Sequence, residues 1–247
     1  MNVYLLIRSG ALATLFIKEQ LKEPLALFWI VLSPVVTFYL IMYARMTRAE
    51  MSADYISVTS WFYAFVSSSV AMFGLAFYIV GRRESGFLRS FVYTNRTKRV
   101  FLVGQFLAYS IMSMVYCLVF YVLTRVYFGE MSFVEFLVVA GRFYICFLLF
   151  SIPSLLLTLV PLGFQNANTV FSVLSFLMLA LGIVSISSSH PGMDVVKFFN
   201  PMWWASQIMQ GGVFESLYVV MTIVVLFVLS LAVVYKFLLV NPVWSRY

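Results

Sequence analysis

The sequence predicts an all-helical integral membrane protein, on three observations. Hydrophobic residues make up 63% of the 247-residue chain and charged residues 10%, and the mean hydropathy is +1.00. A soluble domain carries about a quarter charged and about half apolar residues, so this chain has too little polar surface to face water. Apolar runs also stay unbroken over ~20 residues, as across 217–239, enough to cross a ~30 Å hydrocarbon core at 1.5 Å rise per residue. Finally, the runs are continuous where barrel strands would alternate, which selects helices.

Six spans follow, at about 25–43, 56–80, 100–123, 136–160, 169–186 and 217–239. Six spans put both termini on one side, and charge decides which. That side holds Arg8, Lys18, Lys22, Arg82, Arg83, Arg89, Arg96, Lys98, Arg99, Lys236 and Arg246. The other holds Arg45, Arg48, Arg125 and Lys197, diluted by Glu50, Asp54, Glu130, Glu135, Asp194 and Glu215. The lysine and arginine bias predicts cytoplasmic termini and a cytoplasmic 81–99 loop. The net charge of +7 and the pI of about 9.5 are read as this bias and not as a nucleic-acid footprint, because the cations flank apolar segments. The start, residues 1–7, lacks the basic region and small-residue cleavage site of a signal peptide. One transmembrane domain, 1–247, accounts for the chain.

Three segments are not simple spans. Residues 4–23 are helical in pattern, carry charge and stop at Pro24, as an interfacial helix does. In the 81–99 loop, Phe87, Leu88, Phe91 and Val92 recur at helical spacing and predict a short amphipathic helix. Residues 187–216 are too long for a tight connector and rich in aromatics, including Phe198, Phe199, Trp203, Trp204 and Phe214. They predict short helices at or dipping into the outer interface, where tryptophan concentrates.

Several chemistries are absent from the sequence. No G-x-x-x-x-G-K-[ST] loop is present, so the chain binds no nucleotide through that motif. The one histidine, His190, sits before Pro191 in a serine-rich segment and cannot build a metal site alone. Cys117 and Cys146 each lie in an apolar run and read as small buried side chains. No span holds paired carboxylates or an acid–histidine relay. The chain is expected to be no enzyme, with no catalytic, cofactor-binding or metal-binding residue of its own.

The 81–91 segment is the most informative. Gly81-Arg82-Arg83-Glu84-Ser85-Gly86-Phe87-Leu88-Arg89-Ser90-Phe91 reads either as a basic membrane anchor or as a docking helix for a soluble partner. In the second reading Phe87, Leu88 and Phe91 fill a groove while Glu84 and Arg89 set the register. Glu84, Gly86, Leu88 and Arg89 match the E-x-G-x-L-(basic) pattern often found in the coupling helix of type-2 ABC exporter permeases. Asn200-Pro201 matches the Asn-Pro that in that class often precedes an outer re-entrant helical hairpin and the last span, which the resemblance implies here as well. In motifs and layout together, the whole chain resembles the membrane subunit of such an exporter. It departs from the class where many members carry a proline after the coupling motif; here the residues are Tyr93-Thr94-Asn95-Arg96.

The resemblance implies a homodimer in a bacterial inner membrane, driven by two separate ATP-binding-cassette subunits that carry the ATP and magnesium. It implies export of an amphipathic small molecule, lipid or peptide. A permease for a polysaccharide or lipid-linked glycan is the nearest alternative, and a non-transporting membrane scaffold is the alternative of another class. Ser60, Ala64, Ser67, Ala71 and Gly74 share one face of span two; Asn168, Ser172, Ser175 and Gly182 share one face of span five. Such stripes mean either close helix packing or a pathway at the dimer seam. The aromatics Phe62, Tyr63, Phe65, Phe73 and Phe77 beside the first stripe either pack the bundle or meet substrate. Asn200, Pro201, Trp203 and Trp204 read as an aromatic anchor or an outer gate. Arg142 either lies at the interface or marks the outer pathway, with Glu130 or Glu135 as partner. Pro153 predicts a kink and Pro161-Leu162-Gly163 a helix stop.

Overall fold

The computed structural model describes residues 3–46, 54–187, 191–211 and 217–243, which form helices and connecting turns with no strand among them. His190, Phe214, Glu215, Arg48 and Glu50 lie outside the described residues. The helices are α1 (Val3–Leu21), α2 (Pro24–Met46), α3 (Tyr55–Ser69), a π-helical segment (Val70–Ala76), α4 (Phe77–Glu84), α5 (Phe87–Phe91), α6 (Asn95–Arg125), α7 (Phe133–Leu157), α8 (Phe164–Ser187), α9 (Pro191–Phe199), α10 (Pro201–Gly211) and α11 (Leu217–Phe237). Five stretches are long and apolar enough to cross a membrane: Tyr55–Glu84, Asn95–Phe128, Phe133–Leu157, Phe164–Gly182 and Leu217–Phe237. The 23-residue α2 contains the shorter apolar stretch Ile30–Ala44.

The bundle is built around Tyr55–Glu84. Its spanning window is 72% buried, against 22–44% for the other four. Small residues set this arrangement, because they let neighbouring backbones approach. Tyr55 and Tyr63 share a 2.7 Å hydroxyl contact, and Tyr55 lies 2.9 Å from the Thr124 hydroxyl of α6. Phe120 and Phe143 pack edge-on against Tyr63. The π-helical turn Val70–Ala76 interrupts the same helix. A Cβ on Gly74 would meet the Tyr109 ring at 2.6 Å, so only glycine admits that ring here.

α1 packs along α6 through Ser9, Ala13, Phe16 and Gln20, its buried face. Leu6, Ile7, Leu15 and Leu21 stay exposed on the rest of it. Gly104 of α6 permits the contact, since a Cβ there would lie 3.1 Å from the Ser9 carbonyl.

α9 and α10 fold back into the bundle. Asn200, between them, donates from Nδ2 to the Met178 carbonyl at 2.9 Å. Met178 lies nine residues before the end of α8 at Ser187, ~14 Å back along that helix. α10 then runs antiparallel to α7: Cys146 Sγ donates to the Ala205 carbonyl, and Arg142, four residues earlier, reaches the Met209 carbonyl. A hairpin that dips well below the helix ends satisfies both contacts. α11 closes the bundle against α7.

The α4–α6 end carries Arg82, Arg83, Arg89, Arg96, Lys98 and Arg99 and is called the basic end below.

Candidate docking end and membrane cavity

α4 delivers Arg82, Arg83 and Glu84 to the basic end, and adjacent arginines do different things. Arg83 is 1% exposed. Its Nη1 donates to the carbonyls of Thr158 at 3.0 Å and Val160 at 3.3 Å, and its Nη2 to that of Leu162. These carbonyls belong to the C-terminal end of α7 and the turn before α8. Thr158 stands at the end of α7, where carbonyls lack an intrahelical partner and carry the negative end of the helix dipole. Arg83 therefore caps α7 from another helix. Its Nε donates to Glu84 Oε1 at 2.8 Å, and both Glu84 oxygens lie 3.2 Å from the backbone N–H of Val243. α4, the α7–α8 turn and the segment after α11 are tied together at this point.

The chain then turns at Gly86, whose φ is +79°. A side chain is strained in that left-handed region and glycine is not. α5 follows. Leu88 is fully buried, and Phe87 and Phe91 stack with centroids 5.4 Å apart at 11°. Thr94 then starts α6 by a reciprocal cap: its hydroxyl accepts from Thr97 N–H at 3.2 Å while Thr97 Oγ1 accepts from Thr94 N–H at 3.1 Å.

Of the residues expected to dock a partner, Glu84 and Leu88 face inward within this chain. Phe87 and Phe91 are half-buried. Arg89, Ser90, Tyr93, Thr94 and Asn95 form the outward surface, with Tyr93 78% exposed.

A cavity of about 860 Å³ opens behind this end, between α1, α2, the Tyr55–Glu84 helix and α8. Ile30, Phe65, Phe73, Phe77 and Phe164 wall it; Glu19, Lys22, Glu23 and Arg82 stand at its rim. Arg82 Nη2 pairs with Glu19 at 2.5 Å, and its guanidinium lies 3.7 Å over the Phe16 ring. Tyr78 donates to Glu23, and Tyr109 donates to Gln20 Oε1 at 2.8 Å. The result is an aromatic chamber with a charge-balanced, hydrogen-bonded mouth.

The first stripe does not line this chamber. Ser60, Tyr63, Ala64, Ser67, Ala71 and Gly74 are buried inside the chain and present no surface to a second copy. Ser60 accepts from Gln210 Nε2 at 2.9 Å. The second stripe divides. Ser175 and Gly182 are buried, and a Cβ on Gly182 would meet Trp61 at 2.7 Å. Asn168 and Ser172 lie on the exposed flank of α8.

At the other end, Asn200 Oδ1 accepts from Met202 N–H at 3.0 Å, capping α10 with Pro201 in its first turn. Trp204 Nε1 donates to the Phe198 carbonyl at 2.8 Å, and the Trp203 and Trp204 rings sit 5.0 Å apart. Asn200 thus fixes the hairpin, and the two indoles lie along it. Arg142 Nη1 donates to the carbonyls of Met209 at 2.7 Å and Gln210 at 3.1 Å. The expected partner Glu135 pairs instead with Arg125 at 2.9 Å. Arg142 lies nine residues inside α7 and caps the end of α10, and among the described residues its partners are these backbone carbonyls and no carboxylate.

Arg83, Gln20, Tyr93 and Tyr109 were not singled out from sequence. Nothing local separates Arg83 from Arg82, and Gln20 reads as one more polar residue of an interfacial helix.

No family model matches the chain. The chain is similar to Protein McbE of Escherichia coli, with 29% identity over 241 residues that span 95% of this chain and 97% of that protein. The similarity therefore covers the spanning helices and the segments between them together.

Proposed function

We propose that this chain is the transmembrane subunit of an ABC exporter, in which two copies form a pathway driven by two separate nucleotide-binding subunits. The observation that carries the reading is α5 and its mounting. A five-residue helix stands at the basic end between two spanning helices, plugged by Leu88 and braced by the Arg83–Glu84 clamp. Arg89, Ser90 and Tyr93 point away from the bundle. Such a mounting transmits a push: force on α5 reaches α4, the α7–α8 turn and the segment after α11 at once. A membrane scaffold has no need of it.

α2 is the sixth span in this reading, and both termini with the basic end lie in the cytoplasm of a bacterial inner membrane. The second copy packs beside the exposed flank of α8. Gln165, Asn168, Thr169 and Ser172 on that flank are poorly matched to lipid and better matched to protein or to a wet pathway. The aromatic chamber then receives an amphipathic small molecule, lipid or peptide: apolar parts against Phe65, Phe73 and Phe77, polar parts at the Glu19–Arg82 rim. ATP and magnesium belong to the partner, whose closure drives the α5 helices together and alternates access.

Purification of the tagged chain from its native membrane, with stoichiometry by native mass spectrometry, tests this. Two copies with two nucleotide-binding subunits are expected. A lone chain, or a complex without an ATPase, removes the exporter reading.

A further inference from the structure

A second groove, of about 960 Å³, lies on a different side of the molecule, between α1, α6 and α11. Its mouth is at the basic end and holds Asn95, Arg96, Arg99 and Tyr235; its walls run inward along Val103, Phe106, Leu107 and Leu231. Among the described residues, no acidic side chain lines it. The contrast with the first cavity is in the lining: its rim holds Glu19 and Glu23 beside Lys22 and Arg82, whereas the described residues of this mouth include Arg96 and Arg99 and no acid.

Two further features point to an anion at the mouth. The first turn of α6 holds Arg96 and contains no acid. Lys98 and Arg99 follow directly. The N-terminal end of a helix is the positive end of its dipole and favours negative charge, so clustered cations there repel both the dipole and each other. Topology calls for cations on this side of the membrane, but it does not call for them in front of an apolar groove. Tyr235 also holds Arg99 in place: Arg99 Nε donates to the Tyr235 hydroxyl at 3.2 Å, with the guanidinium 5.2 Å from the ring centre. Used through Nε, Arg99 directs its Nη groups elsewhere.

The dimensions suit one leaflet. From Asn95 to Leu107 the groove follows α6 for twelve residues, ~18 Å, close to half of a ~30 Å hydrocarbon core plus its headgroup edge. A free anion needs only the mouth. An anionic amphiphile uses the mouth and the apolar length behind it.

We infer that this groove binds an anionic glycerophospholipid of the leaflet at the basic end. The phosphate sits at Arg96, Arg99 and Asn95, and an acyl chain lies along Val103, Phe106 and Leu231. The site is independent of whether an ATPase docks on α5.

Titration of phosphatidylglycerol or phosphatidylethanolamine into the detergent-solubilised full chain, read by native mass spectrometry, tests the inference. The wild type should bind phosphatidylglycerol about thirty-fold more tightly, which is ~2 kcal/mol, the scale of two basic side chains near an anionic headgroup. The R96Q/R99Q double variant should bind both lipids equally. Ala232→Trp, an exposed substitution in the groove wall, should weaken both. Inorganic phosphate should not displace the bound lipid. Equal affinities in the wild type, a preference that survives R96Q/R99Q, or unaltered binding to Ala232→Trp would each overturn the proposal. Displacement by inorganic phosphate alone would make this an anion site and not a lipid site.

Discussion

Arg82 and Arg83 are neighbours in sequence and opposites in role. One is a rim residue paired with Glu19 across the chamber mouth. The other is buried and holds three carbonyls of a turn that has no other side-chain cap among the described contacts. Removing a buried charged partner leaves polar groups unsatisfied, typically at 3–5 kcal/mol. Arg83→Met should therefore lower the thermal unfolding midpoint in detergent far more than Arg82→Met. Equal midpoints for the two variants would remove the capping role. Gly74→Ala is expected to cost roughly 1–3 kcal/mol by overpacking, because the Tyr109 ring it would strike is held by Gln20. The same unfolding measurement checks it, and an unchanged midpoint would show that Tyr109 can move aside.

At the scale of elements, the α9–α10 hairpin is held by each neighbour: Arg142 and Cys146 of α7, Ser60 of α3 and the Met178 carbonyl of α8. Cys146 lies under α10, with its thiol on the Ala205 carbonyl. In a Cys117→Ala background, Arg142→Met should loosen α10 and raise the rate at which a membrane-permeant maleimide labels Cys146. An unchanged rate would mean that the hairpin does not depend on Arg142. α5 divides in the same way into an inner and an outer side. Arg89→Glu combined with Tyr93→Ala should abolish co-purification of an ATPase while leaving thermal stability near the wild type. Leu88→Ala should instead destabilise the chain, by about 2–5 kcal/mol for a buried leucine. Retained ATPase binding by the first variant would place the contact elsewhere.

For the whole molecule, the testable quantity is orientation. The basic end and the α6–α7 connection lie at opposite ends of the bundle, and Tyr93 and Met131 are exposed at them. In a chain with both cysteines replaced by alanine, Tyr93→Cys should react with an impermeant maleimide only from the cytoplasmic side. Met131→Cys should react only from outside. The reverse pattern would invert the topology and with it the ATPase reading. The charge pattern predicts the first outcome, because eleven of the chain's 16 lysines and arginines fall on the side assigned to the cytoplasm.

The sequence by itself determined the helical architecture, the stretches long and apolar enough to cross a membrane and most of the element order. These follow from hydropathy, apolar run length and punctuation by Pro24, Pro161 and Asn200-Pro201, each a property of a few adjacent residues. It also placed α5, because Phe87, Leu88 and Phe91 share a helical face. What it could not decide was which way that face points. Arg83 and Glu84 turn inward because the α7–α8 turn and Val243, far away in sequence, supply their partners, and Leu88 turns inward into the core. For the same reason the stripe of Ser60, Ser67 and Ala71 was ambiguous between a seam and a core. Small residues permit close approach by any helix, and only the positions of α7 and α10 show that the approach happens within one chain. Arg142 is the clearest case. A charge in an apolar run announces that it needs a partner, but the partner was a helix end, and backbone carbonyls have no signature in a sequence.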